Sequence, residues 1–340
     1  MTDFVLLISD WYRLNARELP WRSTKNPYFI WLSEVILQQT RVDQGLNYYL
    51  KFIENYPVLN NLADADEASV LKLWQGLGYY SRARNLHKTA QQVRDEYKGE
   101  FPKTYQQIIQ LKGIGPYTAA AISSFAFDLP HAVVDGNVYR ILSRYYGIDE
   151  AIDSGQGKKI FQELADSLIP ESAPALFNQS IMEFGALQCV PNNPDCGSCV
   201  LSASCASAFN PELIKKRPFK KGKTTIRKRY FHYLHLEKDQ QIALDQRTGK
   251  DVWEKLYEFP LIESENDLAP SAFRDSANLC YQTKHILSHQ HIYAFFYTTD
   301  ESEIEGLDFK FVEKSHLEDY PIHRLMEKYL DFNGELKIEK

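Results

Sequence analysis

The stretch LKGIGPYTAAAISSF, residues 111–125, places two glycines in a short turn between two predicted helices. Gly113 and Gly115 permit backbone conformations with positive φ and let a phosphate group approach the chain closely. The helix that starts near Pro116 would add unpaired N–H groups and the positive end of its dipole. Residues 105–127 therefore predict a helix-hairpin-helix that holds the DNA backbone without reading sequence. A plain turn between helices with a glycine cap is equally compatible with two glycines alone.

A second segment, HAVVDGNVYRILSRYYGI at residues 131–148, adds a carboxylate to the hairpin. The extended apolar pair Val133–Val134 precedes Asp135, and an amphipathic helix follows it. Asp135 is therefore placed to cap that helix, where the dipole and backbone donors favour an ionised carboxylate. The residue is either a structural cap only or an anion available to a developing cation.

Four of the five cysteines fall within 17 residues, and Cys280 stands apart from them. The cluster favours a metal site over a disulfide framework in a protein of the reducing cytosol. Four thiolates in one loop suit an iron–sulfur cluster or structural zinc, and spacing alone leaves both open. The four predicted ligands are Cys189, Cys196, Cys199 and Cys205.

The composition is that of an ordinary soluble protein of 340 residues, with 44% hydrophobic and 25% charged residues. The first residues lack a basic segment before an apolar run, and no stretch reaches the roughly 18 apolar residues of a membrane span. We therefore expect a cytoplasmic protein. The net charge is −6, yet residues 215–229 hold nine basic side chains and no acidic one. This segment is either a solvated linker or a strap that neutralises phosphates.

The hydrophobic pattern changes along the chain. Residues 1–214 have apolar side chains at helical spacing, for example over residues 31–56, and residues after 229 alternate as strands do. A helix is predicted from Ser315 onward. The chain thus predicts an all-α domain over residues 1–214, a basic linker over 215–229, and a smaller α+β domain over 230–340.

The hairpin, the VVDGN segment and the cysteine spacing, taken together, resemble the helix-hairpin-helix DNA glycosylases of the endonuclease III superfamily. The resemblance implies that the four clustered cysteines in the loop 189–205 bind a [4Fe–4S] cluster. It also implies that Gly113, Gly115 and Tyr117 in the hairpin contact DNA.

Within that superfamily, WLSEVILQQTRV at residues 31–42 is similar to the MutY-type adenine DNA glycosylases. Taken alone, Glu34 has the spacing of a surface helix residue. The resemblance implies that it is the catalytic acid, with a pKa that an apolar pocket raises toward neutrality. It implies further that Gln38, Gln39 and Thr40 contact the substrate.

The segment GLGYYSRARNL, residues 76–86, is similar to the wedge of the MutY-type enzymes. The resemblance implies that Tyr79 enters the base stack and that Leu77 lies beside it. Two adjacent tyrosines that serve only as core aromatics are the alternative.

The C-terminal part resembles the Nudix-like domain of MutY proteins, although the magnesium-binding helix of Nudix hydrolases is missing from the sequence. The resemblance therefore implies a lesion-reading domain without pyrophosphatase activity. Ser288 and His289 match its recognition loop, in which Leu287 replaces the usual Phe. This change puts a stacking role of position 287 in doubt. A histidine-rich strand end is the structural alternative.

The resemblance implies a mechanism in which Glu34 protonates adenine and Asp135 stabilises an oxocarbenium-like sugar. Asn137 would position Asp135 or a phosphate, and Gln179 would line the pocket. The lip of the adenine pocket is expected at Arg17, Leu19, Trp21 and Arg22. The expected partner is double-stranded DNA with adenine opposite 8-oxoguanine or guanine, bound by a monomer without any membrane contact.

Tyr117 occupies the position where the lyase branch of the superfamily carries its attacking lysine. We therefore expect a monofunctional enzyme that removes the base and leaves an abasic site. An endonuclease III-type glycosylase and lyase is the first alternative, and it requires a lysine for a Schiff base. A non-catalytic iron–sulfur protein that binds DNA or senses redox state is the second.

Overall fold

The computed structural model describes residues 2–222, 225–273, 277–299 and 310–335. Its chain divides into two compact units, Met1–Ala63 with Lys88–Gly222, and Asp64–His87 with Lys223–Lys340. We call the first the helical unit and the second the sheet unit. Residues 64–87, which the predicted domain 1–214 includes, thus share a compact unit with the C-terminal strands. The predicted domain boundaries themselves stay predictions.

Helices form the described chain up to residue 216. They are α1 (Asp3–Asn15), α2 (Pro27–Ile36), α3 (Val42–Asn55), α4 (Leu59–Asp64), α5 (Glu67–Leu73), α6 (Ser81–Tyr97), α7 (Tyr105–Ile108), α8 (Pro116–Phe127), α9 (Gly136–Tyr146), α10 (Gly155–Leu168), α11 (Pro174–Leu187) and α12 (Pro211–Lys216). The segment of helical spacing over residues 31–56 forms two helices, because α2 ends at Ile36 and Gln39 adopts a positive φ of 57° before α3 begins. Among the described residues, no helix combines the length and apolar character that crossing a membrane requires.

One core of the helical unit lies between α1, α9, α10 and α11. Leu142, Phe161, Phe177 and Phe184 are at most 1% exposed in this core. Each such side chain stabilises the fold by about 1.5–3 kcal/mol relative to an exposed one. At the crossing of α9 and α11, a Cβ built on Gly185 would lie 2.6 Å from the Cβ of Asn137. Helices α9 and α11 therefore pack in close contact.

The sheet unit follows a mixed topology. Its strands are β1 (Arg227–His235), β2 (Glu237–Lys238), β3 (Gln241–Ala243), β4 (Asp245–Gln246), β5 (Tyr257–Glu258), β6 (Leu261–Ser264), β7 (Asn278–Ile286), β8 (Gln290–Thr298) and β9 (Phe311–Glu313). The largest sheet has the order β6-β1-β8-β7, in which β1 and β8 are parallel and the other pairs antiparallel. The predicted fold class, an all-α part followed by a smaller α+β part, is confirmed.

The C-terminal helix α13 spans Arg324–Phe332 and packs on the largest sheet, where Tyr329 stacks on Phe296 with ring centroids 4.3 Å apart. The predicted start of this helix at Ser315 is wrong. Residues 314–319 form a separate 3₁₀ helix, and Pro321 lies between the two helices. Proline has no N–H group to continue a helical hydrogen-bond ladder.

The basic segment 215–229 is fixed to the protein at both ends of its described part. Arg217 is 8% exposed and forms an ion pair with Asp149 at 2.9 Å. Arg229, in β1, forms ion pairs with Asp251 and Glu263 at 2.6 Å each. These two arginines are neutralised inside the protein, and the segment is not a uniformly solvated linker.

Residues 64–87 are held within the sheet unit by polar contacts. The Gln75 amide donates to a Glu327 carboxylate oxygen at 2.8 Å, and the Arg84 guanidinium donates to the carbonyl and carboxylate of Glu254, both at 2.8 Å. The turn that carries Tyr79 lies between these two anchor residues in the sequence. It is therefore part of the same compact body as the β-strands.

Candidate active site

A pocket of about 700 Å³ in the helical unit brings together most of the predicted substrate-binding and catalytic residues. The predicted residues that line it are Arg17, Leu19, Trp21, Arg22, Glu34, Gln38, Gln39, Thr40, Gly115, Tyr117, Asp135, Asn137 and Gln179. They come from α2, α8, α9 and α11, from the segments that precede α2, α8 and α9, and from the turn between α2 and α3. Packing of distant segments thus assembles one cavity that includes the carboxyl groups of Glu34 and Asp135.

Glu34 lies on α2 at the pocket wall and is 8% exposed, so the surface alternative is wrong. The Tyr117 hydroxyl donates a hydrogen bond to Glu34 Oε2 at 2.8 Å. Burial raises the pKa of Glu34 to about 7, the negative charge of Asp135 adds to this rise, and the hydrogen bond from Tyr117 opposes it. Near neutral pH, Glu34 therefore carries a proton in a large fraction of molecules.

Asp135 caps α9, as its sequence position predicts. The Val138 N–H donates to Oδ1 at 2.8 Å, and the Asn137 side-chain amide donates to Oδ2 at 2.7 Å. Burial nevertheless raises the pKa of Asp135, and these hydrogen bonds oppose the rise without cancelling it. The cap position alone predicts a lowered pKa for Asp135, because that prediction takes no account of desolvation.

The orientation of Asn137 is fixed by Arg140, which is 8% exposed. The Arg140 guanidinium donates to Asn137 Oδ1 at 2.8 Å and to the carbonyl oxygen of Gly185 at 2.6 Å. Because Oδ1 accepts this bond, the amide NH₂ of Asn137 points toward Asp135. Arg140 also donates to the carbonyl of Cys189 at 2.7 Å, so the start of the cysteine loop contacts the same guanidinium.

Glu183 on α11 is a pocket residue that the sequence did not predict. Its carboxylate accepts hydrogen bonds from Arg17 and Arg22, both as close as 2.7 Å, and its side chain is 1% exposed. Burial, the largest influence, raises the pKa of Glu183, but the two arginines outweigh it and lower the pKa to about 2. The sequence feature that could have identified Glu183 is its position one helical turn after Gln179, on the pocket face of α11.

The two hairpin glycines have different roles. Gly113 has a φ of 73°, a conformation that residues with a side chain rarely adopt. Gly115 has a φ of −96° and is the N-cap of α8, with Pro116 at the first helical position. A Cβ built on Gly115 would meet no atom within 4 Å. Its lack of a side chain therefore serves no internal packing and leaves the start of α8 open.

The remaining predicted contacts lie in the sheet unit. Tyr79 is 47% exposed and has a φ of 48°, whereas Leu77 is 7% exposed. Ser288 and His289 form an exposed turn between β7 and β8, with Ser288 Oγ 3.2 Å from His289 Nδ1. Tyr79 thus offers its ring to solvent, and the Leu77 side chain does not.

The four clustered cysteines are partly buried neighbours. Burial raises the pKa of Cys199 to about 11, and the other three thiols act on it in the same direction. A donor set of four thiolates in one loop fits an iron–sulfur cluster, and it fits structural zinc as well.

Comparison with protein families finds two matching regions. Residues 32–168 match the HhH-GPD superfamily of base excision DNA repair proteins, and residues 232–332 match the NUDIX domain. The first region contains Glu34 and Asp135, and the second contains Ser288 and His289.

The chain is similar over most of its length to an adenine DNA glycosylase from Buchnera aphidicola subsp. Baizongia pistaciae (strain Bp), with 38% identity over 85% of this chain and 84% of the relative. Among solved structures, it is similar to a thermostable thymine-DNA glycosylase, with 31% identity, a TM-score of 0.55, and coverage of 60% of this chain and 94% of that one. Endonuclease III, in a trapped covalent intermediate with DNA, shares the fold at 22% identity and a TM-score of 0.53, with coverage of 60% and 93%.

Proposed function

The chain belongs to the adenine DNA glycosylase family within the HhH-GPD superfamily, and on that premise we propose that it removes adenine mispaired with 8-oxoguanine or guanine from duplex DNA, leaving an abasic site. The observation that carries this proposal is the pair of carboxyl groups in one pocket, Glu34 and Asp135: burial raises the pKa of Glu34 to about 7, and the charge of Asp135 adds to the rise.

Glu34 is the general acid in this proposal. Adenine leaves poorly as an anion, so a proton must reach the base as the glycosidic bond breaks. A carboxyl group with a pKa of about 7 holds that proton at neutral pH and releases it readily. The hydrogen bond from Tyr117 to Oε2 orients the Glu34 carboxyl group and leaves Oε1 available to carry the transferable proton.

Asp135 supplies negative charge to the sugar. Of two neighbouring carboxyl groups that share one proton, the group whose anion accepts fewer hydrogen bonds retains it. Glu34 keeps the proton, while cap hydrogen bonds from Val138 and Asn137 support the anionic form of Asp135. The anion then stabilises the oxocarbenium-like transition state by electrostatics or transient covalent attack.

The absence of lysine from the pocket supports a reaction that stops after base removal. A lyase reaction needs an amine to form a Schiff base with the sugar. Tyr117, which hydrogen bonds to Glu34, supplies none, and the described residues that line the pocket include no lysine.

Selectivity for the mispair is assigned to the sheet unit. Adenine is an undamaged base, so specificity requires contacts with the opposite strand. The exposed Tyr79 ring is a suitable wedge, and Ser288 and His289 offer exposed polar groups for reading 8-oxoguanine. Since Tyr79 and the recognition turn belong to one compact unit, lesion reading and wedging act on the DNA from the same body.

The proposed cofactor is a [4Fe–4S] cluster held by Cys189, Cys196, Cys199 and Cys205. When bound, the cluster cross-links the loop 189–205 through iron–thiolate bonds. Arg144, which is 3% exposed, already donates to the carbonyl oxygens of Val190 and Pro191 in this loop. The protein thus supplies a second, hydrogen-bonded support for the same segment.

The test is a single-turnover cleavage assay on duplexes with adenine opposite 8-oxoguanine, guanine or thymine. We expect adenine release opposite 8-oxoguanine and guanine, strand breaks only after alkali, and loss of release in Glu34→Gln and Asp135→Asn. Glu171→Gln, an exposed carboxylate of the helical unit, is the matched control. Strand nicking without alkali, or full activity of both pocket variants, would overturn the proposal.

A further inference from the structure

A group of three potential metal ligands lies in the sheet unit, apart from the residues assigned to catalysis. The donor atoms of His235, Glu237 and Glu335 all lie within 4.8 Å of one another. His235 Nε2 is 2.9 Å from Glu237 Oε1 and 3.7 Å from Glu335 Oε1. Ligands bound to one ion at about 2.0–2.2 Å are separated by distances of this order.

The Nε2 atom of His235 is buried and has no hydrogen-bond partner of acceptable geometry among the described residues. Its side chain is 4% exposed, and that of Glu335 is 8% exposed. Glu335 Oε2 is also buried without a hydrogen-bond partner. Buried polar atoms of this kind are rare in folded proteins and need an explanation such as an ion.

A chain of polar contacts leads from the Phe296 carbonyl through Cys280 and Tyr329 to His235 Nδ1. The Phe296 carbonyl can only accept, so the Cys280 thiol donates to it at 3.2 Å. The Tyr329 hydroxyl lies 3.5 Å from the Cys280 sulfur and 2.7 Å from His235 Nδ1. In the tautomer that donates from Nδ1, Nε2 carries a lone pair that faces the carboxylates and can bind a metal ion.

We propose that His235, Glu237 and Glu335 form a binding site for a divalent transition metal ion, with Zn²⁺ as the best match. Three acceptors converge there, and an imidazole with two carboxylates suits zinc better than magnesium or calcium, which prefer oxygen ligands alone. The Tyr329 hydroxyl, 2.7 Å from Nδ1, holds the orientation of the imidazole ring, as outer partners of metal-bound histidines do.

Lys314 is the cation that competes for this site. Its ammonium group is 2.6 Å from Glu237 Oε1 and 3.4 Å from Glu335 Oε1. Its side chain is 32% exposed, so it can withdraw into solvent when a metal binds. Removing this charge without shortening the side chain greatly, as in Lys314→Met, should therefore strengthen metal binding.

The test is a calorimetric titration of the full-length protein, with its iron content determined, with ZnCl₂. We expect one zinc equivalent in the wild type, at least about tenfold weaker binding in Glu335→Gln, and tighter binding in Lys314→Met. Glu265→Gln, an exposed carboxylate of the same unit, should bind like the wild type.

Three results would overturn the proposal. The first is equal zinc affinity in the wild type and in both Glu335→Gln and Lys314→Met. The second is binding of Mg²⁺ as tight as that of Zn²⁺, which would exclude the imidazole as a ligand. The third is an intense thiolate-to-metal band on titration with Co²⁺, which would assign the ion to a cysteine. Lys314→Met keeps the test decisive if Glu335→Gln does not fold.

Discussion

Replacing Glu34 by glutamine should stabilise the protein at alkaline pH and abolish base removal. The ionised carboxylate is unfavourable in its buried position, as the pKa of about 7 against an ordinary value of 4.5 shows. At about 1.4 kcal/mol per tenfold change in acidity, this difference corresponds to about 3 kcal/mol. Glutamine is uncharged and can still accept the hydrogen bond from Tyr117.

The sign of the pH dependence follows from proton binding. The folded state holds its proton on Glu34 up to about pH 7, whereas the unfolded state releases it near pH 4.5. Glu34 therefore makes its full contribution to wild-type stability below about pH 4.5. That contribution is lost as the pH rises from about 4.5 to about 7. The advantage of Glu34→Gln should grow from less than about 1 kcal/mol at pH 5 to about 3 kcal/mol at pH 8.5.

Urea denaturation of both proteins at these two pH values measures the difference. The same variant should lose at least about 100-fold in excision rate, the usual contribution of a general acid. Glu171→Gln, with its exposed side chain, should change neither quantity. A difference in unfolding free energy between Glu34→Gln and the wild type that stays constant from pH 5 to pH 8.5 would refute the buried-acid reasoning.

Three further outcomes are expected. Tyr117→Phe removes the hydrogen bond that lowers the pKa of Glu34, so the alkaline decline of the pH–rate profile should move to higher pH; an unmoved profile contradicts this. Glu183→Gln leaves Arg17 and Arg22 without their anion and should lower the free energy of unfolding by about 3–5 kcal/mol, measured by denaturant titration; a loss below about 1 kcal/mol contradicts it. Cys199→Ser should remove the visible absorption of the iron–sulfur cluster, and an unchanged spectrum would exclude this ligand.

Local signals predict the hairpin and the cap of α9 correctly. The Gly113–Gly115 turn and the position of Asp135 before an amphipathic helix depend only on residues a few positions apart. Alternation likewise predicts β8, where every second side chain is buried along much of the strand. The parallel pairing of β1 with β8 joins residues about 60 positions apart, and no local pattern encodes it.

The missed site features depend on how distant helices pack. The sequence places Glu183 one helical turn after Gln179, but Glu183 acquires its partners only when α11 meets the segment that carries Arg17 and Arg22. Arg140 likewise gains its role because α9 places it against the carbonyl of Gly185. The raised pKa of Asp135 has the same origin, since desolvation is a property of the assembled pocket.

A substitution at Gly185 would affect the Asp135 carboxylate without contacting it. A methyl group there would fall 2.6 Å from the Cβ and 3.2 Å from the Cα of Asn137, which are not the flexible ends of a side chain. Such an overlap can be relieved only if α9 and α11 move apart. Asn137, at this helix crossing, is the residue that donates to Asp135. The smallest possible substitution on a buried helix face is thus transmitted to Asn137 and, through its hydrogen bond, to the Asp135 carboxylate.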